Sequence, residues 1–179
     1  MTAVAIIWRF MLSDSVGILY SWIKVLNLPI PNTWFASPST AMPTVIMITV
    51  WKFFPFMVIN FLARLQSIDE QLYDAAKVDG ANNWQTFRYI TLPSLMPVII
   101  IVLLLRTVWT FNNWDVIALL TNGGPVTSTT TLPILIYQTM FSQFSIGRAA
   151  AIAFLMMLVL LTVMYFYMRA YNRAEENLK

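Results

Sequence analysis

The chain has 179 residues, of which 59% are hydrophobic and 11% charged, with a net charge of +3. A soluble domain carries about a quarter charged residues, so this chain has too few to cover a water-facing surface and belongs in a membrane. It has no cysteine and no histidine, which removes disulfides, thiolate nucleophiles, Cys or His metal sites and any Ser-His-Asp arrangement.

No metal or cofactor is expected, since only oxygen ligands remain and most carboxylates fall in two short polar segments. The basic residues are scattered, which argues against nucleic acid as a partner.

Residues 3–12 are apolar except for Arg9. A helix over residues 1–12 rises about 18 Å, too little for a hydrocarbon core of about 30 Å. The segment lacks the basic start and small-residue cleavage site of a signal peptide. It reads as a re-entrant piece or as the end of a helix that begins upstream. Residues 13–40 hold Asp14, Gly17, Pro29, Pro31 and Pro38, with a short amphipathic helix predicted around Val16–Leu26.

Residues 41–64 are predicted to span the membrane although they carry Lys52 and Pro55. Thr49, Lys52, Phe53 and Phe56 share one face of that helix. Residues 65–91 are the most polar part of the chain. Ser67-Ile-Asp-Glu70 has the spacing of a capping box, predicting a helix from Ile68 to about Val78 with Ile68, Leu72 and Ala76 on one face. Gly80 is expected to end it. A second helix is predicted from Asn82 or Asn83 to Ile90. So small a hairpin cannot bury a core, and is either a solvated connector or an element that docks.

Residues 92–120 form the next predicted span, interrupted by Arg106, Asn112, Asn113 and Asp115. Arg106, Thr110 and Asn113 sit at i, i+4 and i+7, on one helical face. Such groups inside a span either glue helices together, with Lys52 or Arg106 paired to Asp115, or line a solute path. Pro55 and Pro97 are expected to kink or locally unwind their helices. Residues 121–131, TNGGPVTSTTT, read as a tight turn followed by a hydroxyl-rich run. Its glycines are not a phosphate loop, because the following Lys-Ser/Thr is missing. Residues 149–168 are free of charge and form the third span, extended to 148–170.

Arg64, Lys77, Arg88, Arg169, Arg173 and Lys179 outnumber Lys24 and Arg148. The positive-inside rule then puts 65–91 and the C-terminus in the cytoplasm, with 13–40 and 121–148 outside.

The run Asp74-Ala75-Ala76-x-x-Asp79-Gly80-Ala81, followed by Ile90-x-Leu92-Pro93, resembles the EAA loop of ABC importer permeases. Asp74 stands where that family usually has Glu. The runs Phe111-Asn112-Asn113, Leu120-Thr121-Asn122-Gly123-Gly124-Pro125, Trp51-Lys52-x-x-Pro55-Phe56 and Ile7-Trp8-Arg9 resemble the maltose and glycerol-phosphate permease subgroup.

The resemblance implies an all-α membrane protein. Its parts would be a partial helix at 1–12, spanning helices at 41–64, 92–120 and 148–170, and a cytoplasmic coupling-helix loop at 65–91. It also implies that the chain aligns with the last part of a six-helix core. Asp74, Ala75, Ala76, Asp79, Gly80 and Ala81 would couple to the ATPase, and Thr49, Lys52, Phe53, Phe56, Arg106, Thr110 and Asn113 would line the sugar path.

The implied partners are a second permease subunit, cytoplasmic ATPase subunits, an extracytoplasmic solute-binding protein and a sugar or polyol, in the inner membrane. ATP hydrolysis would belong to the partner subunits, for the chain has no Walker A pattern. Two readings stay open beside this one: a permease of the same superfamily for another solute, and a truncated fragment that transports nothing.

Overall fold

The computed structural model describes residues 2–13, 17–26 and 33–176. Asp14, Val16, Pro29, Pro31 and Lys179, which enter the sequence reading, lie outside the described residues. Every regular element among the described residues is helical.

Helix α1 covers Thr2–Met11 and α2 covers Ile18–Val25. Helix α3, Pro38–Gln66, is 29 residues long. It opens on a proline, whose missing N–H costs nothing in the first turn. The Thr40 hydroxyl donates to Thr33 O at 2.7 Å, tying the preceding loop to the helix start. Helix α4 covers Glu70–Val78. Helix α5 runs Asn83–Phe111, α6 covers Asp115–Leu120, α7 covers Leu132–Ser142, and α8 covers Ile146–Glu176. Helices α3, α5 and α8 are each long and apolar enough to cross a membrane. A 29-residue helix rises about 44 Å, more than the hydrocarbon core requires. The expected spans at 41–64 and 148–170 lie within α3 and α8.

The third expected span is displaced. Helix α5 starts at Asn83, not residue 92, because the predicted stop before Pro93 does not occur. Proline at 93 cannot donate to the carbonyl four residues back. The chain widens by one residue instead: Phe87–Thr91 is a π turn, and Leu92 N–H bonds to Phe87 O. The helix continues through Pro93 and Pro97. It then ends at Phe111, and Asp115–Leu120 is a separate short helix. The polar run Asn112-Asn113 marks that break; Trp114 N–H turns back to Asn112 O at 2.8 Å.

Two compact units emerge. One comprises Met1–Phe53 with Phe111–Met157, the other Phe54–Thr110 with Leu158–Lys179. In the first, Ala5, Leu12, Val45, Ile48, Val116, Ile117, Leu120 and Ile134 form a buried apolar cluster. Helix α1 thus packs one side into a core and leaves Ile6, Ile7 and Phe10 exposed. The Arg9 guanidinium donates to Leu119 O at 2.9 Å, so the one charge of this segment caps the end of α6. Trp8 meets Trp51 edge-on at 5.3 Å.

In the second unit, Arg64 Nε donates to Ser94 O at 2.9 Å and the Thr107 hydroxyl lies 3.2 Å from the Tyr167 hydroxyl.

The start of α4 corrects the predicted capping box. The cap is Asp69, whose carboxylate accepts from Gln71 N–H at 2.9 Å. Ser67 instead donates to Arg64 O at 2.8 Å, closing the end of α3. Ile68 therefore precedes the helix and does not share a face with Leu72: Ile68 and Ala76 are buried, while Leu72 is exposed. The next helix start is as predicted. Asn82 and Gln85 exchange both bonds of a capping box.

Gly80 ends α4 in the left-handed region, at φ +74°. Gly80 N–H bonds to Lys77 O at 3.1 Å and Ala81 N–H to Ala76 O at 2.9 Å, the paired bonds of a Schellman stop. A side chain at this position would meet nothing within 4 Å, so only backbone conformation limits substitution. Gly80→Asn is expected to cost about 1 kcal/mol or less. Gly80→Pro, which loses both φ and the N–H, is expected to cost about 3 kcal/mol and unwind the last turn. Limited proteolysis at Lys77 checks this: the proline variant is cut faster, the asparagine variant is not.

Candidate functional site

The polar hairpin and the polar positions within the spans are the two places where sequence predicts function. In the hairpin, the motif residues build the end of α4. Ala76 is buried and its carbonyl receives Ala81 N–H; Asp79 is the C-cap and donates its N–H to Ala75 O at 2.9 Å. Asp74 faces water and forms an ion pair with Lys77, Nζ to Oδ1 2.9 Å. The hydrogen bond that Lys77 donates to Asp74, and then the negative charge of Asp74, raise the Lys77 ammonium above its ordinary pKa. Both side chains are more than 70% exposed, so the pair adds little stability.

The Tyr73 hydroxyl lies 3.1 Å from Thr91 Oγ1, tying α4 to the π turn. Among the hairpin's exposed polar residues, Leu72, Val78, Trp84, Phe87 and Tyr89 are exposed too, with the Trp84 and Phe87 rings 5.8 Å apart. Sequence reading named none of these aromatics. Their signal was in the composition, since tryptophan and tyrosine at the start of a span suit a membrane interface or a partner contact.

Within the first unit, Lys52 is nearly enclosed, with 10% of its side chain exposed. Its ammonium lies 3.9 Å from Asp115 Oδ2 and 5.0 Å from the centre of the Phe53 ring. Asp115 opens α6, where a carboxylate also suits the helix dipole. Thr49 is buried and spends its hydroxyl proton on Val45 O at 2.8 Å. Asn113 is buried, but it lies beyond the end of α5 and does not extend the face of Arg106 and Thr110.

Within the second unit, the Phe56 ring stands edge-on to Trp109 at 5.1 Å. Arg106 is half-buried and Thr110 exposed. The structure thus brings Lys52, Phe53 and Asp115 together; Asp115 was foreseen as a pairing partner and not as a site residue.

The hydroxyl-rich run after α6 folds on itself. Thr129 is fully buried; its Oγ1 donates to Gly124 O at 2.7 Å and lies 2.7 Å from Thr121 Oγ1. Thr130 Oγ1 donates to Gly123 O at 3.0 Å, and Gln138 Nε2 to Asn122 O at 3.2 Å. Gly123 has φ +88°, and a Cβ there would stand 2.8 Å from Thr130 Oγ1. These hydroxyls hold a turn. A cavity of about 430 Å³ beside it, lined by Arg9, Ser13, Phe35, Leu120, Thr121 and Pro125 among others, contains none of the predicted path residues.

These features define an all-α membrane protein with a capped polar hairpin between two spans and a charged pair that joins a span to the short helix α6. Residues 1–176 match the family described as binding-protein-dependent transport system inner membrane component, and the chain belongs to that family.

The inner membrane ABC transporter permease protein YcjO of Escherichia coli (strain K12) is 37% identical over 158 residues, covering 87% of this chain and 52% of that protein. The trehalose/maltose transport system permease protein MalF of Thermococcus litoralis is 35% identical over 167 residues, covering 93% of this chain and 56% of that one. A crystal structure of a bacterial ABC transporter involved in the import of the acidic polysaccharide alginate superposes with a TM-score of 0.82 at 28% identity, covering 96% of this chain and 60% of its counterpart. The chain therefore spans somewhat over half the length of the relatives described here.

The buried turn gives a direct prediction. Thr129→Val keeps the shape and leaves the Gly124 carbonyl without its donor, at an expected cost of about 1–3 kcal/mol. Thermal unfolding in detergent checks it: a variant as stable as the parent would mean the hydroxyl bonds do not hold the turn.

Proposed function

We propose that the chain is the membrane-spanning part of a permease subunit of an ABC importer, and that the importer moves a sugar or sugar derivative into the cell. The family match across residues 1–176 carries this reading. The trehalose/maltose and alginate names of relatives favour a sugar over a peptide or amino acid.

In this proposal the α4 hairpin, with Asp74, Ala75, Ala76, Asp79, Gly80 and Ala81, faces the cytoplasm and docks on an ATPase subunit. A short helix stopped by a Schellman turn and tied to the next span by Tyr73 and Thr91 is a stiff lever. The exposed Val78, Trp84 and Tyr89 offer apolar area for the docking contact.

A second permease subunit and an extracytoplasmic solute-binding protein complete the assembly, which sits in the inner membrane with the C-terminus inside. Sugar passes along the faces of α3 and α5 that carry Thr49, Lys52, Phe53, Phe56, Arg106 and Thr110, with Asn113 just past the helix end. ATP is hydrolysed by the partner.

Arg106→Ala tests the path assignment in cells expressing the full set of subunits. Radiolabelled maltose uptake is expected to fall on the order of tenfold, the scale of one charge-assisted hydrogen bond, while the ATPase still co-purifies at parental yield. Equal loss of both would assign Arg106 to structure.

A further inference from the structure

Lys52 and Asp115 are 63 residues apart in sequence and 3.9 Å apart in the fold. That distance is an ion pair but not a direct hydrogen bond, whose N–H···O length is about 2.9 Å. Both groups therefore keep hydrogen-bonding capacity. The ammonium offers donors only and the carboxylate acceptors only. Asp115 is about a third exposed, so the pair is reached from its carboxylate side. The half-buried Phe53 ring lies against the ammonium.

A hydroxyl group both donates and accepts. Two neighbouring hydroxyls of a sugar can satisfy the pair together, one accepting from Lys52 and the other donating to Asp115. An anionic sugar fits worse. Its carboxylate can only accept, so it competes with Asp115 for Lys52 and is repelled by the charge already there.

We propose that Asp115 sets the charge preference at Lys52: by neutralising the lysine it makes the pair a binding point for the adjacent hydroxyls of a neutral sugar and a local barrier to an anionic one. This rests on the sugar-transport reading above. It adds to it a residue, Asp115, and a substrate class, since a lysine without a carboxylate beside it would favour an anionic sugar.

The test uses the complete transporter in cells and two labelled probes, maltose and digalacturonate, measured in the parent, Asp115→Asn, and the double variant Lys52→Met/Asp115→Asn. The same solute-binding protein serves all three, so its own preference cancels in the comparison. The ratio of digalacturonate to maltose uptake is expected to rise on the order of tenfold in Asp115→Asn and to return to the parental value in the double variant.

An unchanged ratio in Asp115→Asn, or the same rise in the double variant, overturns the proposal and leaves the sugar-transport reading standing. Faster uptake of digalacturonate than of maltose by the parent also overturns the proposal and leaves the sugar-transport reading standing. Should Asp115→Asn fail to assemble, the swap Lys52→Asp/Asp115→Lys keeps the pair. It is expected to keep the parental ratio, and a tenfold shift in the swap would contradict the assignment.

Discussion

Hydrocarbon supplies no hydrogen bonds, so a chain that spans it must satisfy its own polar groups. Most of what is distinctive in this structure answers that constraint. Lys52 in α3 is met by Asp115 from a segment 63 residues later. Thr49 and Thr162 return their hydroxyl protons to the carbonyls one turn back, at 2.8 and 2.9 Å. Where proline withholds a donor at position 93, the helix widens into a π turn and Leu92 reaches Phe87 O. Outside the spans, where the chain leaves α6, threonine hydroxyls and a glutamine amide bond the carbonyls of residues 122–124 and hold the turn.

Most of the architecture was legible because it depends on local pattern. Three apolar runs became three long helices, Gly80 became a left-handed helix stop, and Asn82 with Gln85 became a capping box. The errors are equally local in origin. Ser67 and Asp69 both precede Glu70 with capping chemistry, and the sequence does not reveal that the Ser67 hydroxyl is drawn to Arg64 O. The span predicted over 92–120 ran past its true end because apolar composition continues through α6, whereas the backbone turns at Asn112.

The candidate site was less legible, for a different reason. Its decisive contact joins residues far apart in sequence. Periodicity places Lys52 on a face with Thr49, Phe53 and Phe56 and leaves Asp115 open to either Lys52 or Arg106; the fold sets it 3.9 Å from Lys52. That choice changes the chemistry offered to a solute, from a lone cation to a donor beside an acceptor. Likewise, the exposed Val78, Trp84 and Tyr89 were readable as residues but not as a surface until α4 and α5 were placed.

The central claim is that α4 is the element through which this chain meets an ATPase in the cytoplasm. The absence of cysteine makes a single-cysteine experiment clean. Val78, 88% exposed at the end of α4, is replaced by cysteine, with Leu155 in the span α8, 61% exposed, as the control. Both are photo-cross-linked in cells carrying the full transporter. The account predicts a cross-link from Val78→Cys to the ATPase subunit, none from Leu155→Cys, and no labelling of Val78→Cys by an impermeant maleimide added outside intact spheroplasts. Labelling from outside, or cross-linking to the ATPase no greater than the control, would contradict it.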